Sequence, residues 1–216
     1  SVCEDEVRIR ILDADGNEVA AADGAGGTVR IPDARLWWPW PGEPYLCTAS
    51  VTYGEDLYEE TFGIRTVAVE GTQFLINGKP FYFKGFGKHE DAAFRGRGLD
   101  VCLDVKDINL IHWLNANSFR TSHYPYAEEM YQLCDREGIV VIDETPAVGI
   151  GAGDKIDPYK TFHIREHHEQ VLREMIARDK NHPCVVMWSM GNESAYGCNF
   201  EKALAWTKQY DPSRIT

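Results

Sequence analysis

From residue 7 the chain alternates apolar and polar side chains, Val7-Arg8-Ile9-Arg10-Ile11, the period of a half-buried strand. Asp13-Ala14-Asp15-Gly16-Asn17 follows as a hairpin turn, and residues 28–31, 45–53 and 57–62 supply further strands. Residues 1–72 therefore read as an all-β unit. Residues 74–83 form a hairpin turning at Asn77-Gly78, and its second arm is expected to continue as the first strand of a parallel sheet, ending at residues 85–91. The pattern then changes to apolar strands alternating with helices. A helix is expected over 101–115 with Cys102, Val105, Ile108 and Trp113 placed for burial. A short strand follows at 118–121, then an amphipathic helix over 127–137 with Met130, Leu133 and Cys134 inward and Gly138 as its stop. The next strand, 139–142, ends in Asp143-Glu144; a helix over 161–180, a strand at 184–188 and a helix over 200–210 complete the series. Short apolar strands alternating with helices indicate a parallel α/β sheet. Residues 146–160 are too long for a tight connection and are expected to shape a pocket.

Composition narrows the function. The chain has 216 residues, 44% of them hydrophobic, enough for a packed core and too apolar for disorder. No apolar run approaches the roughly 20 residues that cross a bilayer, and the acidic start Ser-Val-Cys-Glu-Asp-Glu is unlike a signal peptide. The formal net charge of −12 carries no basic patch, which argues against nucleic acid as a partner. Six cysteines (Cys3, Cys47, Cys102, Cys134, Cys184, Cys198) form no C-x-x-C pair, and at least three fall on core faces, as free thiols do in reducing compartments. A cytoplasmic bacterial protein with neither membrane nor nucleic-acid partner is expected. His163, His167 and His168 with Glu166 do not form His-Glu-x-x-His and read as a solvated helix face, so no metal is expected there. Gly149-Ile150-Gly151-Ala152-Gly153 is loop, since it does not lead from a strand into a helix.

Two blocks carry the chemistry. Residues 179–193 read Asp-Lys-Asn-His-Pro-Cys-Val-Val-Met-Trp-Ser-Met-Gly-Asn-Glu, a buried strand whose small-residue turn presents a carboxylate at the strand's C-terminal end. On a parallel barrel that end holds the active site. Residues 117–142 contain Asn117, Arg120, His123-Tyr124-Pro125, Asp135 and Gly138 around a strand, a turn and a helix. Both blocks resemble the signatures of glycoside hydrolase family 2. The resemblance implies a (β/α)8 TIM barrel, of which residues 73–216 are the first half with strands one to four. Residues 1–72 would be part of an immunoglobulin-like β-sandwich. Residues 36–46, Leu-Trp-Trp-Pro-Trp-Pro-Gly-Glu-Pro-Tyr-Leu, are similar to a tryptophan-rich loop of that sandwich, and an apolar plug is favoured over a sugar-stacking platform. The resemblance further implies a retaining glycosidase without cofactor, with Glu193 as general acid/base. Asn192 would bond the sugar 2-hydroxyl, and His89, Asp91, His123 and Arg120 would contact the substrate or the carboxylates. The nucleophilic Glu of the family lies on a later strand, and the full-length protein is expected to be a homo-oligomer.

Residues 85–92 (Gly-Phe-Gly-Lys-His-Glu-Asp-Ala) and 143–149 (Asp-Glu-Thr-Pro-Ala-Val-Gly) look like β-glucuronidases. Residues 189–194, with Asp211-Pro212-Ser213-Arg214, look more like β-galactosidases. The Glu-Thr-His of metal-dependent galactosidases is replaced by Pro-Ala-Val-Gly, which removes two expected magnesium ligands and favours a β-glucuronide. A β-galactoside or β-galacturonide remains the alternative. A degenerate barrel that binds carbohydrate without cleaving it is the non-enzymatic reading, against which the retained Glu193 argues.

Overall fold

The computed structural model describes residues 7–149, 164–194 and 197–216. Cys3, most of the expected pocket-shaping stretch 146–160, residues 150–153 of the glycine-rich run and His163 lie outside the described residues.

The N-terminal part is a four-stranded antiparallel sheet in the order β2-β1-β3-β4, from β1 (Val7–Leu12), β2 (Glu18–Asp23), β3 (Cys47–Tyr53) and β4 (Asp56–Phe62). Asp13 makes the first turn: its Oδ1 accepts from the backbone N–H groups of Asp15 and Asn17 at 2.9 and 2.8 Å. The strand expected at 28–31 does not form. That stretch follows Gly24, Gly26 and Gly27, which weaken extended pairing, and it stays an irregular crossing from β2 to β3.

The tryptophan-rich loop leaves this sheet and enters the α/β part. Trp37 is fully buried, and its Nε1 donates to the backbone oxygen of Asp135 at 2.8 Å. Trp38 faces the Lys79 ammonium, and Trp40 meets His112 edge-on at 5.3 Å. The loop is thus an apolar plug between the two parts.

A three-stranded sheet, β5 (Val67–Glu70), β6 (Gln73–Ile76) and β7 (Lys79–Pro80), forms the joint. Asn77-Gly78 turns the β6–β7 hairpin as expected, with φ of 52° and 73°. Its second arm does not become the first strand of the parallel sheet. Phe81 and Phe83 fold back onto Phe74 and onto each other, and the Asn117 side chain bridges Tyr82 O and Lys84 N. The parallel strand starts afresh at β8 (Gly85–Lys88).

Four parallel strands then build a sheet in the order β11-β10-β9-β8, with β9 (Ser118–Thr121), β10 (Val140–Glu144) and β11 (Val185–Ser189). The helices α1 (Val101–Trp113), α2 (Glu128–Glu137), α3 (Ile164–Asp179) and α4 (Cys198–Tyr210) connect or follow them. Ile215 pairs in parallel with Met187, adding a further bridge beside β11.

On α2 the expected Met130, Leu133 and Cys134 are buried, and Gly138 ends the helix at φ 70°. A side chain there would bring a Cβ within 2.6 Å of the Trp40 backbone nitrogen, so the helix stop and the plug share one glycine. On α1 the expected face is wrong. Ile108 is buried, but Cys102, Val105 and Trp113 are exposed, and the inward stripe is Asp104, Ile108 and Ile111. A charged residue on the packing stripe, within reach of the Lys88 charge, displaced the apolar pattern that periodicity relies on. Cys47, Cys134 and Cys184 are buried free thiols. No helix among the described residues is long and apolar enough to cross a membrane.

Candidate active site

Parallel strands deliver their last residues to one rim, and successive side chains point to opposite faces. Thr121, Asp143 and Trp188 fall on the face covered by helices and are essentially inaccessible. Arg120, Ile142 and Met187, which are register partners, share the open face, and Glu144 and Ser189 pair one layer above them. Alternation thus separates the consecutive acids Asp143 and Glu144 completely.

Asp143 is sunk under the helices. Its Oδ1 accepts from Tyr131 Oη at 2.8 Å and Thr121 Oγ1 at 3.2 Å, while Oδ2 has no hydrogen-bond partner. Burial, reinforced by the nearby Asp179 charge, holds its carboxyl well above the ordinary range.

Glu144 is fully buried yet faces the rim. Oε1 lies 2.7 Å from His123 Nδ1, and Oε2 accepts from Ser189 Oγ at 2.6 Å. Arg120 Nε approaches Oε2 at 3.3 Å as an ion pair, without the alignment of a hydrogen bond. Arg120 reaches further, and its terminal amino group donates to Asn192 Oδ1 at 3.1 Å. Asn192 is also fixed through its backbone: its N–H donates to Ala147 O at 2.7 Å, and its own oxygen accepts from Gly149 N at 2.9 Å. Gly191 allows this approach, since its φ is 147° and a Cβ would stand 2.5 Å from Ala147 O.

Glu193 follows Asn192, exposed and with a φ of 49°, in the left-handed region that few non-glycine residues adopt. His89 packs edge-on against His123 with ring centroids 5.5 Å apart. Asp91 is mostly exposed and joins only through His89, at 3.9 Å. Of the expected residues, Arg120, His123 and Asn192 converge directly, His89 stands beside them, and Asp91 lies at the margin. Glu90 is engaged elsewhere, its Oε1 accepting from Ala127 N at the start of α2.

Glu144 and Ser189 are the central groups to which the sequence attached no role. Strand parity was the available signal, since residues 140, 142 and 144 must share a face. His168 departs from the expected solvated face: it is buried, while His167 is exposed. Thr145 Oγ1 gives its proton to Met190 O at 2.8 Å, so His168 Nε2, 3.2 Å away, is the donor to Thr145. Burial lowers the His168 pKa, consistent with a neutral ring that braces the loop. No group of three metal-ligating side chains occurs among the described residues.

Residues 67–216 match the family described as "Glycosyl hydrolases family 2, TIM barrel domain". The chain is 56% identical over 205 residues to a Paenibacillus borealis β-glucuronidase, a match covering 89% of this chain and 34% of the relative. A Faecalibacterium prausnitzii β-glucuronidase structure superposes with a TM-score of 0.90 at 58% identity, over 97% of this chain and 37% of that one. A Bifidobacterium dentium β-glucuronidase complexed with coumarin-3-O-glucuronide superposes with a TM-score of 0.81 at 51% identity, over 97% and 37%. The chain spans about a third of the length of the curated relatives it matches.

Proposed function

The chain belongs to glycosyl hydrolase family 2, and on that premise we propose that it is part of a retaining β-glycosidase that removes a terminal β-D-glucuronate. Glu193 is the general acid/base, protonating the departing glycosidic oxygen and later activating water. Asn192 binds the sugar beside it. Because Arg120 occupies Asn192 Oδ1, the Nδ2 amide is the group left to donate to a sugar hydroxyl. His123, His89, Asp91 and Arg120 complete the contacts on the rim. The attacking carboxylate belongs to another segment of the longer protein, because the described acids near the rim have other duties. Glu90 holds the start of α2, Asp143 is sealed under the helices, and Glu144 is engaged by three groups.

The observation that carries this reading is the Arg120–Asn192 bond, which locks the residue beside Glu193 at the C-terminal rim of a parallel sheet. Preference for glucuronate rests on the named relatives. Residues 1–72 are read as part of an immunoglobulin-like sandwich and residues 73–216 as the first half of the barrel. Buried free thiols such as Cys134 and Cys184 support a reducing, cytoplasmic setting. The full-length protein is read as a homo-oligomer.

The test is hydrolysis by the full-length protein of p-nitrophenyl β-D-glucuronide beside the matching galactoside and galacturonide. A kcat/KM higher for the glucuronide by at least tenfold supports the assignment. A preference for the galactoside would transfer the protein to that substrate class, and absence of hydrolysis with retained sugar binding would favour a binding barrel.

A further inference from the structure

Glu144 is a charged side chain sealed from solvent in the middle of a site, and no step of the reaction proposed above uses it. Both its oxygens are engaged by groups on neighbouring strands or their extensions: Ser189 from β11, and Arg120 and His123 from the end of β9. A serine, a carboxylate and a histidine in contact suggest a nucleophilic triad, but the order is wrong. Ser189 gives its proton to Glu144, and the carboxylate separates it from the imidazole, so no base faces its hydroxyl.

The arrangement instead defines the histidine. Glu144 Oε1 at 2.7 Å from Nδ1 requires a proton on Nδ1 when the carboxylate is ionised. The Arg120 amino group also nears Nδ1, at 3.5 Å, but it can only donate, and the shorter carboxylate contact decides the proton's place. In the neutral ring Nε2 is then a lone-pair acceptor. That nitrogen bonds to no other described residue, and the ring keeps part of its surface open. A sugar hydroxyl approaching the rim would find an acceptor there and a donor in the Asn192 amide.

We propose that Glu144 is a positioning residue that fixes His123 in its Nδ1–H form, so that Nε2 accepts a hydrogen bond from a substrate hydroxyl. This rests on the glycosidase reading above. Ser189 serves the same end by occupying the second carboxylate oxygen, which keeps Oε1 turned toward His123.

The test is a double-mutant cycle in the full-length protein, using Glu144→Gln, His123→Asn and the combination. Activity is expressed per active site, titrated with a tight-binding uronic-acid analogue. Each single variant is expected to lose about 100-fold in kcat/KM. The double variant should lose about the same, because residues acting as one unit are not additive. Glu144→Asp should recover part of the loss, since it keeps the charge. Losses that multiply in the double variant would overturn the positioning role while leaving the glycosidase reading intact. So would a Glu144→Gln protein that merely melts earlier, with wild-type turnover per titrated site. A wild-type protein that hydrolyses none of the three glycosides overturns both readings.

Discussion

The Arg120 guanidinium donates to Asn192 Oδ1 at 3.1 Å, tying the end of β9 to the loop after β11 across the intervening strand. One planar cation thereby addresses the buried Glu144 carboxylate and the amide beside Glu193 at once.

A lysine in its place has one compact ammonium and cannot hold both partners. Arg120→Lys is therefore expected to leave the protein folded but lower kcat/KM for p-nitrophenyl β-D-glucuronide by about 10- to 100-fold, because displacement by an ångström costs on that scale. Steady-state kinetics checks this, and a change under threefold would show that the bond does not position Asn192.

Glu193→Gln removes the proton donor but keeps the shape. Turnover of an alkyl glucuronide, whose leaving group needs protonation, should fall by about 100- to 10,000-fold. A substrate with a strongly acidic phenol as leaving group should lose much less in glycosylation. Equal losses on both would remove Glu193 from the acid role.

Residues 145–148 carry Thr-Pro-Ala-Val where a metal-dependent galactosidase would place ligands. Thr145 and Ala147 instead hold the loop after β11, through Met190 O and Asn192 N. Exhaustive EDTA treatment of the full-length protein is expected to leave kcat/KM unchanged. Activity lost to the chelator and restored by magnesium would contradict this.

At the opposite end of the sheet His182 Nδ1 lies 2.5 Å from Asp135 Oδ2, both buried. Burial works against the imidazolium, but the Asp135 hydrogen bond and charge outweigh it and raise the His182 pKa above its usual value. A histidine raised on folding contributes stability that is fully present below its unfolded pKa, about 6.5, and lost as pH climbs through the raised value. The melting-temperature deficit of His182→Gln should therefore be larger at pH 6 than at pH 9. A deficit that grows with pH would reverse the sign and refute the pairing.

Asp143 titrates in the opposite sense to an ordinary paired acid. Burial and Asp179 raise its pKa, so the unfolded chain releases the proton first, and wild-type stability falls as pH rises above about 4. Asp143→Asn keeps an oxygen for Tyr131 and Thr121 and does not titrate. Its melting temperature relative to wild type should rise between pH 5 and pH 8, and thermal scans showing a decline would disprove the account.

Much of this architecture was legible in the residues. Periodicity and turn chemistry located β1, β3, β4, α2 and the four parallel strands, since each has a clear apolar pattern or a defined stop such as Asn77-Gly78 or Gly138. It misjudged α1, where Asp104 sits on the packing stripe while Val105 and Trp113 do not. It also missed the fresh start at β8, which depends on the Asn117 amide gripping a distant backbone. At the site, the motifs drew attention to Arg120, His123 and Asn192. Glu144 was visible only as an acid at a strand end, because its three contacts come from other strands and from chain extensions that only the folded register brings together.

Trp37 gives the boundary between the two sheets a different meaning. Its indole N–H is spent on the Asp135 carbonyl, its own carbonyl receives the Asn77 amide, and its ring fills the base of the α/β core. Asp135, through its side chain, also holds His182 and the first peptide before β11. The antiparallel sheet therefore contributes a piece of the catalytic half's foundation. Cutting the protein at its apparent seam would leave a hole in one half and an orphaned tryptophan on the other, so in recombination and design the two must travel as one cassette.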